Sequence, residues 1–419
     1  MTGQERMISL SYDVVVLGGG PAGMLAAGTA ASMGKRALLI EKNEKLGKKL
    51  FITGKGRCNV TNTADFDEFM KNIPKNSKFF YSAFNSFSNE DLVGLLRSLG
   101  LRTKVERGGR VFPESDKSSD VIKALEKYLK MYKAEVMLNT KVSGIRQDNG
   151  TVRGVQLDNG QVIECSSVIL CTGGVSYPQT GSTGDGYSIA GKSGHSISEL
   201  MPSLVPLVAE EAFIKELQGL SLKNVAIKAT AEGKQVYEDF GEMLFTHYGL
   251  SGPIILSASF YVSDYLRKNK QIKLSIDLKP ALSEEELDKR LLRDFEKNTN
   301  KQFKNSLDEL LPQKLIPVMI ALSGIDETKE VHQITKEERK KLIWLLKGIT
   351  VTIAGTRPIE EAIVTSGGIN LKEINPKTME SKLVKGLFFA GEIIDLDAFT
   401  GGFNLQIAFS TGYVAGMNA

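Results

Sequence analysis

The residues best placed to do chemistry lie together near the start of the chain. Gly18, Gly20 and Gly23 stand in G-x-G-x-x-G spacing directly after the apolar run Val14-Val15-Val16-Leu17, and a second apolar run, 37–40, ends at Glu41. Gly18 permits a tight turn, Gly20 lets the backbone approach a pyrophosphate, and Gly23 lets a helix pack close to a strand. The Ala-rich segment behind them reads as a helix whose N-terminal N–H groups and dipole would face phosphates. Glu41, 18 residues past Gly23 (41 − 23), is spaced to accept from ribose hydroxyls. A bare glycine motif would fit a plain strand-to-helix turn. Strand, glycines, helix, strand and acid in this order point to a dinucleotide site.

Acid–base groups are scarce, since the chain holds only three histidines. His247 sits with Tyr248 in a Gly/Ser-flanked stretch (245–252) and is the best candidate, against an even alternative of a hydrogen-bonded structural histidine. His195 follows a helical segment and reads as a surface or C-capping residue, and His332 lies among charges and reads as solvated. Arg357, ahead of Pro358, could bind a substrate carboxylate or pin its surroundings by ion pairing, and Tyr177 and Tyr248 could donate protons. The stretch 47–62, with three glycines, three lysines and one arginine, makes poor core and a good ligand loop, in which Arg57 is positioned to neutralise a phosphate or carboxylate. Cys58, Cys165 and Cys171 show no C-x-x-C pair, so Cys58 reads as a packed side chain before a redox thiol. No metal-ligand cluster stands out.

These groups need elements to hold them. Strand signals fall at 136–147 and 152–157 around Asn-Gly turns, and at 167–174, a buried run ending in glycines before a helix up to Lys192. Residues 65–101 read as helices with an aromatic stripe, and Ser115 or Ser118 can cap a helix over 120–132. From about Ser198 the pattern alternates (203–209, 225–231, 272–278), then turns helical and charged over 283–347. Strands resume at 350–353 and 362–365, and the chain ends in a Gly401-Gly402 turn opening an amphipathic helix. The expectation is an α/β fold. Residues 1–198 with 372–419 form a Rossmann-like domain, 199–280 with 347–371 an inserted β-barrel, and 281–346 a small helical domain.

The bulk numbers set limits. The chain has 419 residues and a formal charge of +4 from 53 basic and 49 acidic side chains, without a like-charge block that would mark a nucleic-acid arm. No apolar run reaches a membrane span, and the first eleven residues lack a signal-peptide core, so a reducing cytoplasm is the default.

Several motifs carry a family resemblance. TGKGRCNVTN (53–62), GSTGDG (181–186), GEMLFTHYGLSGPIIL (241–256), GTRPIEEAIVTSGGI (355–369) and AGEIIDLDAFTGGFNLQIAFSTG (390–412) resemble, in order and nearly end to end, the YhiN-type flavoproteins of the glutathione-reductase-like superfamily. The TGDG and Gly-Gly elements also resemble fumarate-reductase flavoproteins, but that group's substrate His and Arg find no match in the insert. The resemblance implies FAD along the strand ends. Gly18, Gly20, Pro21, Ala22 and Gly23 would hold the pyrophosphate and Glu41 the adenosine ribose. Thr172 and Gly173 would lie on the adenine side, and Glu392 or Asp395 by the ribityl chain. The helix after Gly402 would face the flavin pyrimidine edge, where its dipole favours reduced, anionic flavin. Lys42, Lys49, Gly56, Arg57, Cys58, Asn59, Gly174, Asp185, Gly391, Phe403 and Asn404 complete the implied cofactor set.

The implied chemistry is hydride transfer through flavin N5 to or from a small organic substrate. No second G-x-G-x-x-G marks a nicotinamide domain, so NAD(P)H as reductant would visit the substrate cleft in turn, a ping-pong cycle. Enone reduction is the leading reading, with His247, Tyr248 and Arg357 as catalytic candidates. Oxidation of a small amine such as aminoacetone by oxygen is the alternative. A flavoprotein acting on RNA, as in tRNA modification, is a third class, against which the balanced charge argues.

Overall fold

The computed structural model describes residues 11–419; the N-terminal segment scanned for a leader lies, up to residue 10, outside them. The described chain forms two compact units, one of the residues up to Ser203 with Ile359–Ala419, the other Leu204–Pro358.

The first unit is built on a seven-stranded sheet. Strand Ser11–Leu17 lies between Ala37–Ile40 and Val162–Leu170, parallel to both, and Glu135–Met137 extends the parallel edge beyond Ala37–Ile40. Val14, Val15 and Val16 are wholly buried, as suits β-branched side chains in a sheet covered on both faces. Val162–Leu170 changes partner along its length. Its first half pairs antiparallel with Thr151–Leu157, and its second half pairs parallel with Leu387–Phe389. Val142–Asp148 completes the meander through the Asn149-Gly150 turn, both residues in the left-handed region, as a two-residue hairpin requires.

The helix after the first strand, Pro21–Ser32, is nearly all Ala, Gly and other small residues. It packs on the last helix, Phe403–Asn418, so closely that a Cβ on Gly412 would fall 2.4 Å from the Ala22 carbonyl oxygen, and one on Gly416 2.4 Å from that of Ala26. The last helix is thus apolar nearly all round and buried, not amphipathic as expected; a helix wedged between others has no solvent face. The expected strand 136–147 is broken at Asn139, in the left-handed region, into Glu135–Met137 and Val142–Asp148. The expected hydroxyl cap is absent too. Ser118 is the first residue of helix Ser118–Met131, and its hydroxyl donates to the Phe51 carbonyl. The aromatic stripe is core: Phe69, Phe80 and Phe84 pack together, and Phe403 meets Phe69 edge-on at 4.8 Å.

The second unit is a closed six-stranded antiparallel barrel, in order Leu207–Ala209, Gly249–Ser251, Lys234–Phe245, Ser221–Ala231, Ile272–Asp277 and Ile349–Thr356. Closure leaves no unpaired edge. The charged stretch contributes helices Glu284–Lys297, Ile316–Ser323 and Lys336–Lys347. Their buried leucines, Leu287, Leu291, Leu342 and Leu346 among them, share one apolar core with the barrel.

Candidate functional site

In the first unit a cleft opens over the ends of the parallel strands, where ligands of open α/β sheets bind. The turn Gly18–Ala22 forms its floor. Gly18 has φ +103°, and Gly23 packs behind it: a Cβ there would stand 1.9 Å from the Gly18 carbonyl oxygen. At Gly20 a Cβ would meet no protein atom within 4 Å. The open side of this turn therefore faces the cleft.

Glu41 closes one end. Its carboxylate, 8% exposed, accepts from the Gly19 N–H (2.6 Å) and from the backbone and side-chain nitrogens of Asn43 (2.9 and 2.7 Å). Three of roughly four lone-pair sites are filled, leaving one for a ligand hydroxyl. Beside it Lys42 reaches across the sequence to Asp185 (2.7 Å) and Thr183 (2.5 Å). Burial alone would push the Asp185 carboxyl up, but the Lys42 ammonium and the Thr183 hydroxyl outweigh it and hold the pKa below the ordinary range.

At the other end Lys49 donates to both oxygens of Glu392 (3.0 and 2.7 Å) and to Ser176 Oγ (2.6 Å). Glu392 also accepts from the Thr365 N–H at 2.9 Å. Between the two ends lies Thr172, whose Oγ1 is buried without a hydrogen-bond partner. A buried hydroxyl left unpaired costs about 1–3 kcal/mol; this one faces Gly186, where a Cβ would lie 1.9 Å from it.

Of the expected cofactor residues, Gly18, Gly20, Pro21, Ala22, Glu41, Lys42, Lys49, Thr172, Gly173, Asp185, Gly391, Glu392 and Asn404 line this cleft. The others stand behind it or elsewhere. Gly23 and Gly174 are packing positions; a Cβ on Gly174 would lie 2.3 Å from Thr365 Oγ1. Gly402 packs on the strand at Thr61, where a Cβ would lie 2.3 Å from the Thr61 carbonyl oxygen, and Phe403 is in the aromatic core. Arg57 is committed away from the cleft, paired with Glu106 and with Asp116 (2.6 Å) and stacked 4.2 Å over Phe112. Gly56 accepts from the Ser118 N–H, and Asp395 holds Asn76 through its backbone carbonyl. Cys58 is fully buried, and burial pushes its thiol up to about 12, so it is no redox nucleophile. Asn59 does not line the cleft, but its Oδ1 is buried and unpartnered like Thr172 Oγ1.

Sequence reasoning missed Gly19, Asn43, Thr140, Lys141, Val142, Ser182 and Ile363 in the lining. Asn43, two residues past Glu41, could have been found as a local partner for that acid. Thr140–Val142 carry no motif; the order of strands in the sheet brings them there.

In the second unit His247, Tyr248 and Arg357 come together although 110 residues separate Arg357 from His247 (357 − 247). The Arg357 guanidinium lies 4.5 Å over the Tyr248 ring, and the His247 ring meets the same ring edge-on at 4.7 Å. His247 is exposed on the turn between two barrel strands. His195 is not a surface residue but does cap the helix Asp185–Lys192: it is 5% exposed, its backbone N–H donates to the Ala190 carbonyl at 3.1 Å, its Nε2 lies 2.8 Å from Ser381 Oγ, and burial lowers its pKa. His332 is exposed beside Glu330. Among the described residues no group of three or more His, Cys, Asp or Glu could hold a metal, and no helix is long and apolar enough to cross a membrane.

A parallel sheet, a glycine turn under a helix N-terminus and an acid on the second strand define a Rossmann-type dinucleotide-binding unit. The chain belongs to the HI0933-like family, whose Rossmann-domain model matches residues 12–418; it is an FAD-dependent oxidoreductase. It is 32% identical over 417 residues to a 3-dehydro-bile acid delta(4,6)-reductase of Clostridium scindens, covering 96% of this chain and 98% of that protein. It is equally, 32%, identical over 408 residues to a ribosomal RNA dihydrouridine synthase of Haemophilus influenzae, covering 96% and 97%. The fold is shared with a 3-ketosteroid delta1-dehydrogenase of Sterolibacterium denitrificans, at 14% identity and a TM-score of 0.53 over 97% of this chain and 99% of that one.

Proposed function

We propose that this protein reduces a carbon–carbon double bond conjugated to a carbonyl, with NAD(P)H as the reductant that visits in turn. The observation that carries the reading is one dinucleotide cleft accompanied, among the described residues, by a barrel and not by a second nucleotide-binding sheet. The two relatives support the reaction class. A bile-acid 4,6-dien-3-one and the uracil ring both present a carbon–carbon double bond conjugated to a carbonyl, which is saturated by hydride at its electrophilic end (the β carbon, or the δ carbon for the 6,7 bond of the dienone) and a proton at the adjacent carbon.

FAD, when bound, supplies the two-electron hydride donor at N5. In this reading the turn Gly18–Ala22 and the first helix receive the pyrophosphate, and Glu41 takes a ribose hydroxyl with its remaining lone pair. Lys49 and Glu392 fix the opposite end. Tyr248, with the Arg357 guanidinium over its ring and His247 edge-on to it, is the proposed proton donor to the α carbon.

Anaerobic stopped-flow mixing of the yellow protein with NADH, NADPH or aminoacetone tests this. Bleaching by a nicotinamide, followed by reoxidation on a conjugated enone or a uridine, is the expected result. Bleaching by the amine alone would overturn the reading in favour of an amine oxidase.

A further inference from the structure

Helix Lys336–Lys347 buries Leu342, Ile343, Leu345 and Leu346 and turns the opposite stripe to solvent. That stripe holds Lys336, Glu337, Lys340, Lys341 and Trp344, all exposed. Trp344 is the only tryptophan in the chain and, at 62% exposure, its most exposed large apolar side chain among the described residues. The other charges on the helix are spent: Glu338 holds Lys329 (2.8 Å), Arg339 holds Asp288 (2.5 Å) and Lys347 holds Asp277 (2.6 Å). Among the described residues no ion pair takes Lys336, Lys340 or Lys341.

Lys336, Lys340 and Trp344 follow at four-residue steps, so they form one row with about 6 Å between members along the axis. Two like charges at such a step destabilise an isolated helix slightly, by about 0.2–0.5 kcal/mol, and an exposed indole adds nothing to the fold. An unpaired row of cations leading to a bare aromatic ring is the combination that binds single-stranded nucleic acid, cations on the phosphates and the ring under a base. A lipid surface fits less well, because the apolar face of this helix is already buried in the barrel core and only one side chain is left to insert.

We infer that this stripe is an RNA-binding face, with Trp344 stacking on an unpaired base and Lys336, Lys340 and Lys341 on the backbone. The inference rests on the reductase reading above and selects its uracil branch: the substrate is a uridine within RNA.

The single tryptophan reports on its own site. Oligouridylate of about 12 nucleotides, within the usual site size for such faces, should quench its fluorescence in the full-length holoenzyme. With labelled RNA and anisotropy, Trp344→Ala should weaken binding about 10-fold or more and Trp344→Phe should restore most of it. The triple change Lys336→Gln, Lys340→Gln, Lys341→Gln should flatten the slope of log affinity against log salt by about 2, at ~0.7 per lost single-strand contact. Absence of RNA binding, variants that bind as the parent does, or quenching by anionic phosphatidylserine vesicles and not by RNA would each overturn the inference. The two readings fail separately. An enzyme that reduces a free enone but ignores RNA refutes only this face, and one that binds RNA without accepting hydride from a nicotinamide refutes only the reductase.

Discussion

Two neighbouring glycines in the same motif should respond in opposite ways when each becomes alanine. At Gly20, the N-cap of the first helix with φ −79°, a Cβ meets no protein atom within 4 Å. Gly20→Ala should therefore cost the FAD-free protein no more than a weaker N-cap, about 0.5 kcal/mol. The added methyl points into the cleft, however, where the proposed pyrophosphate must approach, and we expect FAD affinity to fall about 30-fold, some 2 kcal/mol. At FAD 100-fold above the parent dissociation constant, the cofactor stabilises the fold by about 2.7 kcal/mol; a 30-fold weaker site leaves about 0.9. Gly23→Ala places its Cβ 1.9 Å from the Gly18 carbonyl oxygen, a backbone atom that cannot rotate away. Overpacking of this kind costs about 1–3 kcal/mol, more than the ~0.5–1 gained by replacing a helical glycine. That variant should lose stability with or without FAD. Flavin fluorescence titration gives the affinities, and denaturant melts of apo and holo protein give the stabilities. If Gly20→Ala bound FAD as the parent does, or destabilised the apo protein as much as Gly23→Ala, the assignment of this turn to the cofactor would be wrong.

Three further outcomes follow from single atoms. Thr172→Val removes the buried unpartnered hydroxyl, so the protein should become about 1 kcal/mol more stable in denaturant melts; a variant no more stable than the parent would refute the unpaired hydroxyl. Asp397 is 3% exposed, accepts from Ser203 (2.7 Å) and Ser366 (3.1 Å), and burial pushes its carboxyl above the ordinary 3.8. The folded state thus holds a proton that the unfolded state has released, and this group's contribution to stability is full below about pH 4 and lost as pH rises through its folded pKa. Asp397→Asn should flatten that fall in a series of urea melts between pH 4 and 8; an unchanged slope would refute the protonated carboxyl. Cys58, Cys165 and Cys171 are all buried, and burial pushes Cys58 and Cys165 up to about 12 and raises Cys171 as well. A thiol reagent should therefore label none of them in native protein and all three in denaturant.

The sequence by itself determined what depends on neighbours along the chain. The turn at Gly18–Gly23, the buried strands beside it, the Asn-Gly hairpin at 149–150 and the alternating strands of the barrel follow from local stereochemistry and from which faces must leave water. Glu41 at the end of its strand was legible for the same reason, because strand length and the direction of the sheet fix where it ends. Only the tertiary structure decided what depends on distant partners. Arg57 looked like a free cation in a glycine loop, yet Glu106 and Asp116, 49 and 59 residues away, claim it. The last helix had the spacing of an amphipathic element, but glycines that fit the carbonyls of another helix bury it from nearly every side. Thr140–Val142 enter the cleft because of strand order, which no local pattern encodes. The orphaned hydroxyl of Thr172 was invisible for a simpler reason: whether a buried polar atom lacks a partner depends on every neighbour it has in three dimensions, and the sequence shows only two of them.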